Sequence, residues 1–383
     1  MDWYMGNSIR HLTDGVFLIA SAQTWIEGHA IQQLQISARL EGMRLVVGMP
    51  DLHPGRVYPV GAAFFSVGRF YPALVGNDIG CGMSLWRTTL AGRGLSADRL
   101  EKRLGMIDGP LPSDLRTYMA GDDLPDTGFE SSLGTIGGGN HFAELQRVDE
   151  IYEHDTLAAL AVDREHLLLL VHSGSRGLGQ RILTAHVERY RHGGLVDGTL
   201  AGDDYLEQHA LALRFAHVNR RLIAWRMLEK LRGDGAPIVD LDHNLLTPAE
   251  INGEKGWLHR KGATPTDAGL LVVPGSRGDY SYLVEPVADA VSLYSVAHGA
   301  GRKWMRSDCR ARLSARYDSR QLARTALGSR VVCNDRRLLF EEAPEAYKPI
   351  SSVIGSLRDA GLVRPVARLR PVLTYKTCGE VWQ

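Results

Sequence analysis

The chain has 383 residues, 44% of them hydrophobic, and its 44 basic side chains balance 44 acidic ones. That composition is too apolar for a disordered chain and too balanced for a generally basic nucleic-acid binder, although a local patch such as 302–316 (RKWMRSDCRARLSAR) still carries a field of its own. The N-terminus has no basic start followed by an apolar core, and no apolar run approaches the roughly 18 residues a bilayer requires, so a soluble cytoplasmic protein with no membrane contact is expected.

In chain order, short apolar runs bounded by Gly, Pro or Asn predict buried strands at 44–50, 61–68, 71–78, 166–174 and 269–276. Apolar residues at three- to five-residue steps (Leu206, Leu211, Phe215, Val218, Leu222, Trp225, Leu228) predict a long helix over 203–231. Shorter helices are expected at 286–294, where Pro286 would take the first position, and at 349–360. Strands and helices mix without regular βαβ alternation. The expected fold is α+β, a single domain over 1–383 with stacked mixed sheets surrounded by helices and a central cleft. The four cysteines are scattered with no CxxC, which in a reducing compartment reads as thiols or ligands, not disulfides.

Polar residues concentrate in glycine-rich loops at strand ends. GNDIGCGMS (76–84) holds Asp78 and Cys81, GTIGGGNHFAEL (134–145) holds Asn140, His141 and Glu144, and LVHSGSRGLG (170–179) holds His172 and Arg176. IVDLDHNLLT (238–247) holds Asp242, His243 and Asn244, and SVAHGAGRKW (295–304) holds His298 and Arg302. The glycines of 174–179 run G-x-x-G-x-G with no acidic residue closing a later strand, which excludes a dinucleotide loop, and no GxxxxGK[ST] occurs. Imidazole, thiolate and carboxylate together suit Mn, Fe, Co or Zn, whereas Ca or Mg would take oxygen alone. Asp78, Cys81, His141, His172 and His243 are therefore expected to hold two metal ions, with the Cys81 thiolate able to bridge them. His298 is set apart by the HGAGR loop, whose backbone N–H groups and arginine suit phosphate oxygens; a neutral imidazole there can attack a phosphoryl group.

These stretches, with MPDLHPG (49–55), RKGAT (260–264), PGS (274–276) and EEAPEAYK (341–348), resemble the RtcB family in order and over nearly the whole chain. The resemblance implies a GTP-dependent RNA ligase joining 3′-phosphate or 2′,3′-cyclic phosphate ends to 5′-hydroxyl ends. It implies Mn²⁺ (two ions) on the five ligands above, GTP as cofactor, and His298 as the catalytic residue that accepts GMP. Nucleotide contacts are implied for Asn140, His141, Glu144, Asn244, Pro274, Gly275, Ser276, Arg277, Ser281, His298, Gly299, Ala300, Gly301, Tyr347 and Lys376.

Three departures from the family pattern stand out. Asp242 precedes His243 where a second histidine is common, which suggests that Asp242 orients the His243 ring. Arg277 replaces a usual methionine and adds a cation near the nucleotide, and TCGEVWQ follows Lys376. The short length resembles relatives encoded beside a release-factor-like protein, which implies RNA repair and such a protein as partner. The competing expectations are a metal-dependent phosphoesterase acting on RNA ends and a non-catalytic RNA- or ribosome-associated module.

Overall fold

The computed structural model describes residues 8–94, 96–108, 111 and 124–377. Its central sheet runs Gly235–Asp242, Gly82–Ala91, His166–Ser173, Phe142–Ile151, Val363–Thr377, Ser281–Pro286, Leu271–Pro274, all antiparallel, and Arg330–Cys333 joins Val363–Thr377 in parallel. A second, outer sheet runs Ile9–Thr13, Val16–Ile19, Met43–His53, Val60–Ser66, Glu254–Lys261, Asn244–Ile251, with one parallel pair, Val16–Ile19 with Met43–His53. The α+β architecture of stacked sheets expected from the sequence is the one observed.

The apolar runs explain both sheets. Leu167, Leu169 and Val171 pack against Ile223, Met227 and Leu231 of the long helix, while Leu168 and Leu170 face Met83, Leu85 and Val366 on the other side. A strand buried on both faces needs an unbroken apolar stretch, and HLLLLVHS supplies it. The outer sheet behaves alike: Val46 and Phe64 meet Leu34 of the helix Gly28–Ser37, and Val47 and Phe65 share a cluster with Val353 and Leu357 of the helix Ile350–Asp359. That second cluster also takes in Leu271, Val273, Tyr282 and Val284, so it joins the two sheets.

The long helix spans Leu200–Leu231; Thr199 accepts from Gly202 N–H at its start, and Arg232 turns left-handed at its end (φ 54°). The helix expected at 349–360 is Ile350–Asp359. Two expectations fail. Residues 71–78 are not a strand but a 3-10 turn, Pro72–Leu74, followed by loop, because Pro72 has no N–H to give a sheet. Residues 286–294 do not form a helix either. Pro286 ends a strand, only Ala290–Ser292 turns, and Leu293 and Tyr294 take positive φ (52° and 49°), which halts helical propagation.

The ends of the central strands are placed by register. Antiparallel pairing sets Gly82 opposite both Ser173 and Asp242, Phe142 opposite His172, and Ala143 opposite Tyr375. Residues adjoining those pairs (Cys81, His141, His172, His243, Lys376) thus collect along one edge of the sheet. His243 is also the single residue between Asp242 of the central sheet and Asn244 of the outer one. Among the described residues, no helix is long and apolar enough to cross a membrane. Cys378 and the remaining residues after Thr377 lie outside the described residues.

Candidate metal centre and nucleotide cavity

The loop carrying Asp78 and Cys81 is bent at Gly80 (φ 72°), where a Cβ would stand 2.7 Å from the Ala216 methyl of the long helix. Only glycine lets the loop lie that close, and it delivers both side chains to the sheet edge. There Cys81 Sγ lies 3.3 Å from His141 Nε2 and 3.2 Å from His172 Nε2, and His172 Nε2 lies 3.3 Å from His243 Nε2. Asp78 Oδ2 is 2.7 Å from His141 Nε2. The five residues form two groups with metal-ligand geometry, Asp78–Cys81–His141 and Cys81–His172–His243, and the shared member is the cysteine.

The donors fit cations. The Asn140 carbonyl faces Nδ1 of His172 at 3.2 Å, which puts the ring proton there and leaves the Nε2 lone pair toward Cys81, whereas His141 meets the Ile136 carbonyl through Nδ1 at 3.1 Å and Asp78 through Nε2. Burial holds His172 and His243 well below the ordinary imidazole range, so both are neutral ligands. Burial, with Asp78 beside it, pushes the Cys81 thiol well above its ordinary range, so a thiolate here calls for a compensating cation. Burial would raise Asp78 too, yet the charge and hydrogen bond of His141 hold its carboxyl low. Asp78 Oδ1 and His243 Nδ1 are buried with no hydrogen-bond partner among the described residues.

Asp242 does not orient His243. Its carboxylate accepts from Arg220 Nη2 and His217 Nε2, both at 2.8 Å, because the fully buried Arg220 reaches it first. Arg220 also binds Asp240 Oδ1 at 2.6 Å and donates to the Gly80 carbonyl at 2.6 Å, so it clamps the ligand loop from behind.

His298 follows the short strand Ser295–Ala297, and its ring centre is 4.7 Å from that of His243. Its Nδ1 lies 2.6 Å from Asp51 Oδ2 without the alignment of a hydrogen bond, and that oxygen accepts the His298 backbone N–H at 3.2 Å. Asp51, wholly buried in the outer-sheet strand Met43–His53, was not singled out from the sequence. The one available signal was an acid inside the apolar run LVVGMPDLH. Gly301 (φ 70°) is required because a Cβ would fall 2.1 Å from the Asp51 carbonyl. The close approach at HGAGR is thus to this strand as well as to any ligand. Arg302 is not free for phosphate, as expected of it: it is bound to Glu342 Oε1, the Tyr347 hydroxyl and the Glu341 carbonyl.

A cavity of about 280 Å³ adjoins these groups. Asp78, Cys81, His172, His243 and His298 line it, as do Asn140, Asn244, the PGSR turn (274–277), the 299–301 stretch, Tyr347 and Lys376. Glu144 and Ser281 stand behind its wall, joined through Gln146 Nε2 at 2.6 and 2.8 Å, and desolvation lifts Glu144 to about 7. Asn244 lines the cavity with a side chain already engaged, donating to the Asp78 carbonyl and accepting from Gly262 N–H. Arg277 is 7% exposed; its Nη2 binds the Leu322 and Leu339 carbonyls, while Nε and Nη1 have no hydrogen-bond partner among the described residues. Burial brings Lys376 down to about 8 although Glu342 opposes it, and Glu342, which burial alone would raise, is held to about 2 by Lys376, Arg306 and Arg302.

One cavity thus joins two cysteine-sharing groups that could hold metal ions to an imidazole beside a buried carboxylate and a polar loop wall, an arrangement suited to an enzyme. The family described as tRNA-splicing ligase RtcB matches residues 33–126 and 125–377, and the chain belongs to that family. It is 55% identical to an RNA-splicing ligase RtcB2 of Escherichia coli, covering 98% of this chain and 99% of that protein. It is 30% identical to the RNA-splicing ligase RtcB of Mycobacterium tuberculosis (88% and 98% covered) and to the tRNA-splicing ligase RtcB of Nanoarchaeum equitans (90% and 91% covered).

Proposed function

We propose that the chain is an RNA ligase, one catalytic unit over 1–383, that uses GTP and two Mn²⁺ ions to join a 3′-phosphate or 2′,3′-cyclic phosphate end to a 5′-hydroxyl end. The observation that carries this reading is the pair of ligand groups sharing Cys81 beside an imidazole held by Asp51. Bound there, the ions would neutralise phosphoryl oxygens and make phosphorus electrophilic. Asp51 stands 2.6 Å from Nδ1 of His298, so Nε2 is the nitrogen that would attack the α-phosphorus of GTP. A P–N bond would form as the bond to pyrophosphate breaks. A cyclic end would first be opened by water to the 3′-monophosphate; an oxygen of that phosphate would then displace His298 from phosphorus and take the guanylate, and the 5′-hydroxyl would finally attack the RNA phosphorus and displace GMP. On this reading the PGSR turn, Tyr347 and Lys376 flank the nucleotide, and Glu144 acts from behind the wall. Repair of a cleaved RNA in the cytosol, alongside a release-factor-like protein, is the setting the sequence resemblance implies.

The test is incubation with α-labelled GTP and Mn²⁺, then ligation of RNA ends differing only at the 3′ terminus. An acid-labile protein adduct is expected, absent in His298→Ala, which retains its metal. No adduct in the wild-type protein would sink the proposal and favour the phosphoesterase; His298→Ala protein devoid of metal would make His298 a ligand instead.

A further inference from the structure

Residues 302–330 carry nine basic side chains and two acidic ones, in a chain whose 44 basic and 44 acidic side chains balance only overall, so the remainder is net acidic. The structure divides these cations into two sets. Arg302, Arg306, Arg324 and Arg330 pair with Glu342, Asp98 and Glu101, and so fasten the segment to the body of the protein. Lys303, Arg310, Arg312, Arg316 and Arg320 have no carboxylate at ion-pair distance among the described residues, and the four arginines are exposed. Aromatic rings lie between them: Arg312 sits 5.1 Å from the Trp304 ring centre, Lys303 5.9 Å from the same ring, and Arg316 5.5 Å from Tyr317. The track begins at the cavity, because Arg306 lines it and Arg310 stands one turn further along the helix Arg306–Leu313.

Unpaired like charges held side by side repel one another, and a polyanion relieves that repulsion while releasing its own counterions. Cations interleaved with rings suit single-stranded RNA, whose phosphates and bases take the two in turn. We infer that the exposed face of 303–320 is the docking track for the RNA strand leading to the reacting ends, outside the catalytic cavity. The inference rests on the ligase reading above.

The experiment uses the full-length protein with Arg310, Arg312 and Arg316 all changed to Ala, exposed positions outside the cavity. Affinity for a single-stranded RNA of about 20 nucleotides is measured against salt, with guanylate formation measured in parallel. The expected result is RNA binding weaker on the order of 30-fold at about 0.15 M salt and a log–log salt slope smaller by about 2, at roughly 0.7 for each phosphate left without its arginine. Guanylate formation stays at the wild-type rate. Unchanged RNA affinity and slope would overturn the inference, as would unchanged RNA affinity with abolished binding of polyaspartate, which assigns the face to an acidic protein. A fall in guanylate formation matching the drop in RNA affinity would overturn it too. Absence of any guanylate in the wild-type protein, with the RNA-binding difference intact, would defeat the ligase reading and leave the track standing.

Discussion

The two walls of the cavity are built in different ways. The metal side is a sheet edge: three of its ligands flank or end antiparallel strands, register fixes their relative height, and the side chains are spaced by backbone hydrogen bonds. The opposite side is assembled from turns and short helices (274–277, 299–301, 341–348), and it is held by a charged network of Arg302, Arg306, Glu342, Tyr347 and Lys376. Ladder hydrogen bonds leave little freedom, whereas a network of ion pairs tolerates rearrangement as a nucleotide enters and leaves. On the proposed reading, the chemistry demanding fixed distances falls to the sheet and recognition to the loops.

Breaking the sheet side should have the largest effect. Cys81→Ala removes the member common to both ligand groups, so elemental analysis is expected to find neither ion and ligation to be abolished. His172→Ala touches one group only and is expected to retain one ion; equal losses in the two variants would refute the shared thiolate. Next comes Asp51→Asn, which leaves the ions in place but removes the negative charge 2.6 Å from His298 Nδ1. Guanylate formation should fall about 100-fold, as when the orienting partner of a functional histidine is removed. Arg220→Met tests the support behind the edge. Buried Asp242 and half-buried Asp240 would keep only His217 as a cation, and urea unfolding should show stability reduced by about 3 kcal/mol.

The smallest effect belongs to His217. Burial would lower its pKa, but its hydrogen bonds to Asp240 and Asp242 prevail and raise it to about 9. Since the folded value exceeds the unfolded one, near 6.5, the stabilisation is complete below about pH 6.5 and disappears as pH rises through about 9. The melting temperatures of wild type and His217→Gln should therefore differ at pH 6 and converge above pH 9. A constant difference across that range would remove His217 from the network.

The contrast between the walls also explains what could be read in the sequence. The strands at 44–50 and 166–174 and the long helix were legible because burial on both faces, or along one stripe, prints an apolar pattern. The metal-ligand residues were legible because strand-end glycines, His, Cys and Asp recur together, and the structure gathers all five. Asp51 and Arg220 were not singled out, since Asp51 is a lone charge inside an apolar run, Arg220 is one of two adjacent arginines on a long helix, and their partners lie far off in sequence, at His298 and at Asp240 and Asp242. Local periodicity carries no information on such distant pairs. Residues 71–78 and 286–294 were misread for the converse reason: apolar composition predicts burial, and in both segments buried residues sit on irregular backbone fixed by Pro72, Asp289 and left-handed Leu293.

One residue, His243, spans the step from the central sheet to the outer one. Any sliding of one layer over the other must drag that imidazole with it, so a cation grasped at this corner acts as a rivet through two plates. Occupancy of the corner and cohesion of the layers are then thermodynamically the same event, and the melting point should climb with free metal concentration even where no nucleotide is present.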